Sequence, residues 1–295
     1  MIAVDYSQVC ISNIMVEFMR NKATTVELDL IRHMIINSIR SYKMKWGNDY
    51  GDLVICCDAS NNWRKEVFEH YKAVRRKNRQ ESDIDWPTIY KCIDTVREEL
   101  KQFFPYKVIQ IEGAEADDII ATLAKWSQTN DLQETMFDSE PKPFLILSRD
   151  SDFVQLQKYS NVMQYSPIDK KWVKPNKSAE LDLLEKVIRG DSGDGIPNIL
   201  SPGNSFVDKI RQKSIYEEKL SVWLTQMSEE FCTTKEMKEG FDRNRKLIDF
   251  DYIPEHIQSN IINCFESYQP KGRSQLMNYF VKNRMKLMIE HITEF

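Results

Sequence analysis

The sequence predicts an α/β protein, with a central, mainly parallel sheet flanked by helices and a smaller, mostly helical part after it. Three observations predict it. Short apolar runs alternate with stretches of helical length through the first 177 of the 295 residues, the pattern of parallel strands joined by helical crossovers. Each run is almost continuously apolar, as in strands buried on both faces. Each of the first four runs also ends in, or just before, one or more carboxylates, at the edge where open parallel sheets bind ligands.

The elements follow in order. MIAVD is a strand that leads into Asp5, and a helical stretch follows with Leu28, Ile31, Ile35 and Ile39 near helical spacing. DLVICCD is a second strand, ending at Asp58, and a basic helical segment begins at Trp63. The next helix runs from about Pro87, which suits a first turn, to Phe104. VIQIEG is a third strand, broken at Gly113, and ADDIIATLAKWS is helical. FLILS is the fourth strand and NVMQYSP the fifth. After Lys177 no strand-like runs remain, and SAELDLLEKVIRG and IQSNIINCFESY read as helices. We therefore divide the chain into an α/β domain, residues 1–177 with a basic helical projection at about 63–82, and a helical domain, residues 178–295.

A hydrophobic share of 41% and a charged share of 29% are ordinary for a soluble globular protein. No run is apolar for long enough to cross a bilayer, and MIAVDYSQV lacks the pattern of a secretory signal. The six scattered cysteines form no C-x-x-C, which suits a reducing cytoplasm and argues against a zinc site. The four histidines are far apart, so a bound metal here is a hard ion held by carboxylates. A net charge of −4 does not advertise nucleic-acid binding, yet that sum hides local patches.

The carboxylates at the strand exits are Asp5, Asp58, the cluster Glu115, Asp117 and Asp118, and the pair Asp150 and Asp152; GDSGDG adds Asp191 and Asp194. Singly, each has a structural reading, because Asp favours turns and helix starts. Together on one edge they would repel each other and raise their own pKa values. Divalent cations relieve that repulsion, and oxygen ligands select Mg²⁺ or Mn²⁺. Two such ions about 4 Å apart suit in-line attack on a phosphodiester. The polyanionic substrate would meet WRKEVFEHYKAVRRKNR, which carries Arg64, Lys65, Lys72, Arg75, Arg76, Lys77 and Arg79 against Glu66 and Glu69. Arg64 and Lys72, eight residues apart, would share a face if this helix is continuous. A solvated helix face is the plainer reading of such a run.

GAEADDIIATLA, SRDSDF and GDSGDG, following strands that end in Asp5 and Asp58, resemble the motifs of the flap endonuclease and 5′-nuclease superfamily. The likeness is nearest to the branch formed by the ribonucleases H of T-even bacteriophages. WRKEVFEHYKAVRRKNR resembles the basic arch of that branch; MQYSPIDKKWVK, LIDFDYIP and the ending EF resemble it too. The resemblance implies a Mg²⁺-dependent 5′-to-3′ exonuclease and flap endonuclease, with Mn²⁺ able to substitute. It implies removal of RNA primers and adjacent DNA during lagging-strand replication, in the host cytoplasm and as a monomer. Substrates would be 5′-flap or forked DNA and RNA–DNA duplex, with a phage single-strand DNA-binding protein and a sliding clamp as partners.

By that resemblance, Asp5, Asp58, Asp117 and Asp150 surround a first ion, supported by Glu115. Asp152, Asp191 and Asp194 hold a second, partly through water, with Asp118 the lesser member of its pair. Arg64 and Lys72 contact the scissile phosphate as catalytic residues, beside Asp117 and Asp150, and residues 74–82 are a mobile part of the arch. One departure stands out. GIPNILSPGNSFVDK lacks the glycine spacing and the Lys-Thr of a helix-hairpin-helix turn, which puts a potassium site there in doubt. Neither terminus shows a clear clamp-binding peptide.

Two other readings are open to the residues. DSDFV fits the start of a haloacid-dehalogenase-like phosphatase motif, with Asp150 as nucleophile and Asp152 as acid/base. That reading leaves Asp5, Asp58 and the Glu115 cluster idle. A non-catalytic scaffold that docks DNA or replication proteins is the other, although every acidic position of the motif set is filled.

Overall fold

A computed structural model describes residues 1–21, 27–134 and 138–295. Strand β1 (Ile2–Asp5) lies at the centre of a six-stranded sheet, with β2 (Leu53–Cys57) and β3 (Lys107–Gln110) to one side. On the other side follow β6 (Phe144–Leu147), β7 (Val162–Ser166) and an antiparallel edge strand β8 (Lys171–Val173). The four pairings that join β3, β2, β1, β6 and β7 are parallel. All five strands expected from sequence are present. The edge strand β8 and a small antiparallel pair, β4 (Leu132–Glu134) and β5 (Ser139–Pro141), are additions. These three-residue strands are too short to show an apolar period.

Helices cover both faces. Helices α1 (Tyr6–Asn21), α2 (Leu28–Tyr50) and α5 (Trp86–Phe103) lie on one, and α6 (Ala116–Asn130) on the other. Side chains of a strand alternate between faces. Ile2, Val4, Leu53 and Ile55 therefore enter the first core, while Ala3, Val54 and Cys56 enter the second. Both sides are buried, which explains the unbroken apolar runs.

The basic segment is not one helix. It breaks into α3 (Arg64–Val67) and α4 (Ala73–Gln80), joined by Phe68–Lys72. Phe68 and Tyr71 explain the break, because both turn into a third core. Lys72 closes the segment at φ 55°, the left-handed region. Arg64 and Lys72 therefore share no helix face. Of residues 74–82, expected to be a mobile part of the arch, residues 74–80 lie in helix α4.

The C-terminal residues are helical, as expected, and they pack into all three cores. Helix α7 (Ala179–Arg189), helices α8 (Glu217–Trp223) and α9 (Ser228–Phe231), and α10 (Lys235–Ile248) build the third core. Helix α11 (Glu255–Ser267), however, packs Ile257, Ile261 and Phe265 into the second. Helices α12 (Leu276–Lys282) and α13 (Lys286–Glu290), with Phe295, close the first. The change of composition near Lys177 marks where strands stop, while the packing crosses that point repeatedly. Helical periodicity shows that an apolar stripe exists and not which surface covers it.

Candidate metal centre

The strand exits open into one cleft of about 940 Å³, lined by Asp5, Asp58, Glu115, Asp117 and Asp150. The sheet order places β1 between β2 and β6, so Asp5 stands between Asp58 and Asp150. Asp117, on the first turn of α6, adds the fourth side of the group. Backbone and hydroxyl donors aim these carboxylates. Asp5 accepts from the Gln8 amide at 3.0 Å and the Ser148 hydroxyl at 3.3 Å. Asp58 accepts from the Ala116 amide at 2.8 Å and from Ser7. Asp150 accepts from the Asp152 amide at 3.0 Å, while Gln164, buried in β7, donates to the Asp150 carbonyl at 2.6 Å.

These four carboxylates have no Lys or Arg nitrogen within salt-bridge distance among the described residues. Burial, and then the neighbouring Asp58, push Asp5 up to about 7. Burial, Asp150 and Asp5 hold Asp117 well above the ordinary carboxylate range. This is the repulsion that a divalent cation relieves.

The remaining acidic residues are each met by a cation of the chain itself. Glu115 accepts from Lys72 at 2.7 Å and lies 3.2 Å from Arg64. Burial alone would raise Glu115, but Lys72 and Arg64 outweigh it and hold its carboxyl below the usual range. The Tyr71 hydroxyl stands between Glu115 and Asp194, 2.9 Å from each. Asp194 also faces Lys72 at 3.6 Å and Arg75 at 3.7 Å. Lys186, in the last turn of α7, bridges Asp152 and Asp191, the latter at 2.8 Å.

The turn that presents Asp191 and Asp194 is built on glycine. Gly190 has φ +72°, and a Cβ there would lie 2.3 Å from the Ile196 carbonyl. Gly195, at φ +73°, lets the turn approach the His70 carbonyl, and the Asp194 carbonyl accepts from the Lys72 amide at 2.8 Å. The break in the basic segment and the last acidic motif are thus fitted to each other.

Two residues expected at the site lie away from the cleft lining. Asp118 is fully buried and does not line the cleft. It accepts from the Glu115 amide at 2.9 Å in a capping box and pairs with Arg64 at 2.8 Å. Arg64 is 3% exposed, donates to the Leu247 carbonyl at 2.8 Å and does not line the cleft. It ties α3 to α6 and to the end of α10. Arg64 and Lys72 do meet, but at Glu115 and not along a helix. Of the other basic residues, Lys65, Lys72, Arg75, Arg76 and Arg79 line the cleft, whereas Lys77 faces Glu81 at 3.8 Å.

Sequence reading missed Ser7, Gln8, Tyr71, Ser148, Gln164 and Lys186. For Gln164 a signal existed, since it is the polar residue at an inward position of NVMQYS. The others are revealed only by the fold. Among the described residues no three His, Cys, Asp or Glu side chains form a ready-made metal cage. The donor set nevertheless fits a hard cation: it is carboxylate oxygen, it is preoriented, and it repels itself. No histidine among the described residues lines the cleft.

Comparisons with known proteins agree with this architecture. Residues 16–182 match the family model "5′-3′ exonuclease, N-terminal resolvase-like domain", and residues 177–295 match "T4 RNase H, C terminal". The chain is 34% identical to the ribonuclease H of Enterobacteria phage T4, over 99% of this chain and 94% of that protein. It is 28% identical to DNA polymerase I of Bacillus subtilis over 57% of this chain and 18% of that one. A bacteriophage T5 flap endonuclease, solved as a pseudo-enzyme–product complex with DNA and metal ions, superimposes with a TM-score of 0.60 at 16% identity. That match covers 90% of this chain and 97% of the other. The T5 5′-exonuclease with bound zinc gives 0.57 at 15% identity, covering 90% and 98%. These matches leave no place for the phosphatase reading. Among the described residues no helix is long and apolar enough to cross a membrane.

Proposed function

This chain belongs to the 5′-3′ exonuclease family, and from that premise we propose that it is a metal-dependent 5′ nuclease acting on 5′-flap or forked DNA and on RNA–DNA duplex. The observation that carries the reading is the convergence of Asp5, Asp58, Asp117 and Asp150 opposite a wall of Lys65, Lys72, Arg75, Arg76 and Arg79. The T4 relative is a ribonuclease H and the T5 neighbour was solved with DNA and metal ions, which supports primer removal as the role.

Asp5, Asp58, Asp117 and Asp150 would hold one hard divalent ion, Mg²⁺ or in its place Mn²⁺, and Asp152, Asp191 and Asp194 a second. Such ions supply an activated water and charge neutralisation at the leaving oxygen. The chain supplies the rest. Lys72 and Arg75, at the hinge between arch and acidic turn, bind the phosphate to be cut and balance its charge. Lys65 and Arg76 hold adjacent phosphates along the wall. Ser7, Gln8 and Ser148 keep the carboxylates aimed at the cleft. Arg64 acts indirectly, by fixing Glu115 and hence the position of Lys72. We read the protein as a monomer. The exposed Lys271, Arg273, Lys282, Arg284 and Lys286 support contact with duplex or with a single-strand-binding protein.

The test is cleavage of a labelled 5′-flap DNA and a 5′-RNA-primed duplex, in Mg²⁺ and in EDTA. Release of short 5′ products should need the metal and should be lost when Asp150→Asn and Asp152→Asn are combined. A folded protein that binds both substrates and cuts neither would leave a binding scaffold in its place.

A further inference from the structure

Helix α5 turns Tyr90, Ile93, Asp94 and Arg97 toward the cleft, at the spacing of one helical face. Tyr90 is 37% exposed there. Its ring stacks against Trp86, one turn earlier, with centroids 5.8 Å apart and planes at 28°. The Arg79 guanidinium from α4 lies over both rings, 5.1 Å from Trp86 and 5.7 Å from Tyr90. Trp86 is fixed from the other side, its Nε1 donating to Ser82 at 2.8 Å. Among the described residues no carboxylate pairs with Arg79, although Asp94 and Glu81 each find cations nearby.

An aromatic ring left open to a cationic cleft gains little from burial, while its π-face suits another flat ring. Phosphates are served by the neighbouring Lys65, Arg75 and Arg76. The ring adds what those cations lack, a surface for a base. Bases inside a duplex are already stacked on each other, so only an unpaired base can use it.

We infer that Arg79, Trp86 and Tyr90 form a stacking platform that seats an unpaired nucleobase of the 5′ strand, and that this contact favours single-stranded 5′ arms over blunt ends. The inference rests on the nuclease reading and deepens it. Tyr90 is the contact residue, and Trp86 and Arg79 position its ring. The competing role is internal, with the same stack merely bracing the elbow between α4 and α5.

Fluorescence anisotropy in EDTA, where no cleavage occurs, separates the two roles. The probes are a duplex with a 5′ flap of thymidines and the same duplex with a flap of abasic sites, which keeps the phosphates and removes the bases. Wild type should bind the thymidine flap about tenfold more tightly than the abasic one. Tyr90→Ala should lose that advantage and bind the abasic flap as wild type does, and Tyr90→Phe should recover the tenfold. An equal loss on both flaps would show a brace and overturn the platform, as would no preference in the wild type. Failure of the wild type to bind either flap or to cut them in Mg²⁺ would strike the nuclease reading itself.

Discussion

Asp5 and Asp117 both line the cleft with no Lys or Arg among the described residues in salt-bridge reach, while Glu115, two residues from Asp117, lies against Lys72 and Arg64, and Asp191 against Lys186. The chemistry of the side chains is the same and the surroundings are opposite. Asp5 is pushed up to about 7 by burial and by Asp58, whereas Glu115 and Asp191 are held low because their cations outweigh burial. Where the fold supplies its own cation, the carboxylate fixes a hinge or a cap. Where it leaves carboxylates bare, the fold is less stable without an external cation. The bare groups mark the proposed first ion site, and Glu115 and Asp118 the frame around it, while Asp191 shares its lysine with the proposed second ion site.

The hardest test of that contrast is to neutralise a bare carboxylate. Asp117→Asn should lower flap cleavage in Mg²⁺ by about 10³-fold or more while flap binding in EDTA stays close to wild type; cleavage at the wild-type rate would dissolve the distinction. Removing a cation from the frame should act on stability instead. Arg64→Ala leaves Glu115 and Asp118 with a buried charge short of its partner, and the urea midpoint should fall by an amount equal to about 3–5 kcal/mol. An unchanged midpoint with slowed chemistry would return Arg64 to the phosphate.

The third test uses pH. The carboxyl of Asp5 is raised in the folded protein, so its contribution is fully present below the unfolded value of 3.8 and is lost as pH rises through about 7. Without metal, stability should therefore decline across that window, by roughly 4 kcal/mol at most from this group. Urea midpoints in EDTA between pH 4.5 and 8 should show the slope, and Asp5→Asn should flatten it. A wild type with no decline would mean that Asp5 is not strained by its neighbours.

The smallest effect belongs to Lys186. Lys186→Met removes a partly buried lysine that bridges two carboxylates and should let Mn²⁺ bind several-fold more tightly next to Asp152 and Asp191. Mn²⁺ titration followed by electron spin resonance would read this, and unchanged affinity would show that the lysine does not compete with the ion.

Much of the architecture was legible in the residues. MIAVD, DLVICCD and FLILS are strands because β-branched and apolar residues run without a break, and VIQIEG and NVMQYSP because such residues dominate around one glutamine. Ser178 and Gly190 bracket α7 as a cap and a stop should. The edge strand β8 and the break at Phe68–Lys72 were not legible. The first is too short for a pattern, and the second depends on a core into which Phe68 and Tyr71 turn from far along the chain.

The sequence by itself determined that carboxylates would gather at one edge of a parallel sheet, because strand exits share that edge and every motif residue was in place. It determined too that a basic arm would stand beside them. Only the tertiary structure decided which carboxylates remain bare. That depends on where Arg64, Lys72 and Lys186 come to rest relative to residues up to 183 positions away in the chain, and the interaction between charges is set by distance and burial in space and not by spacing along the chain.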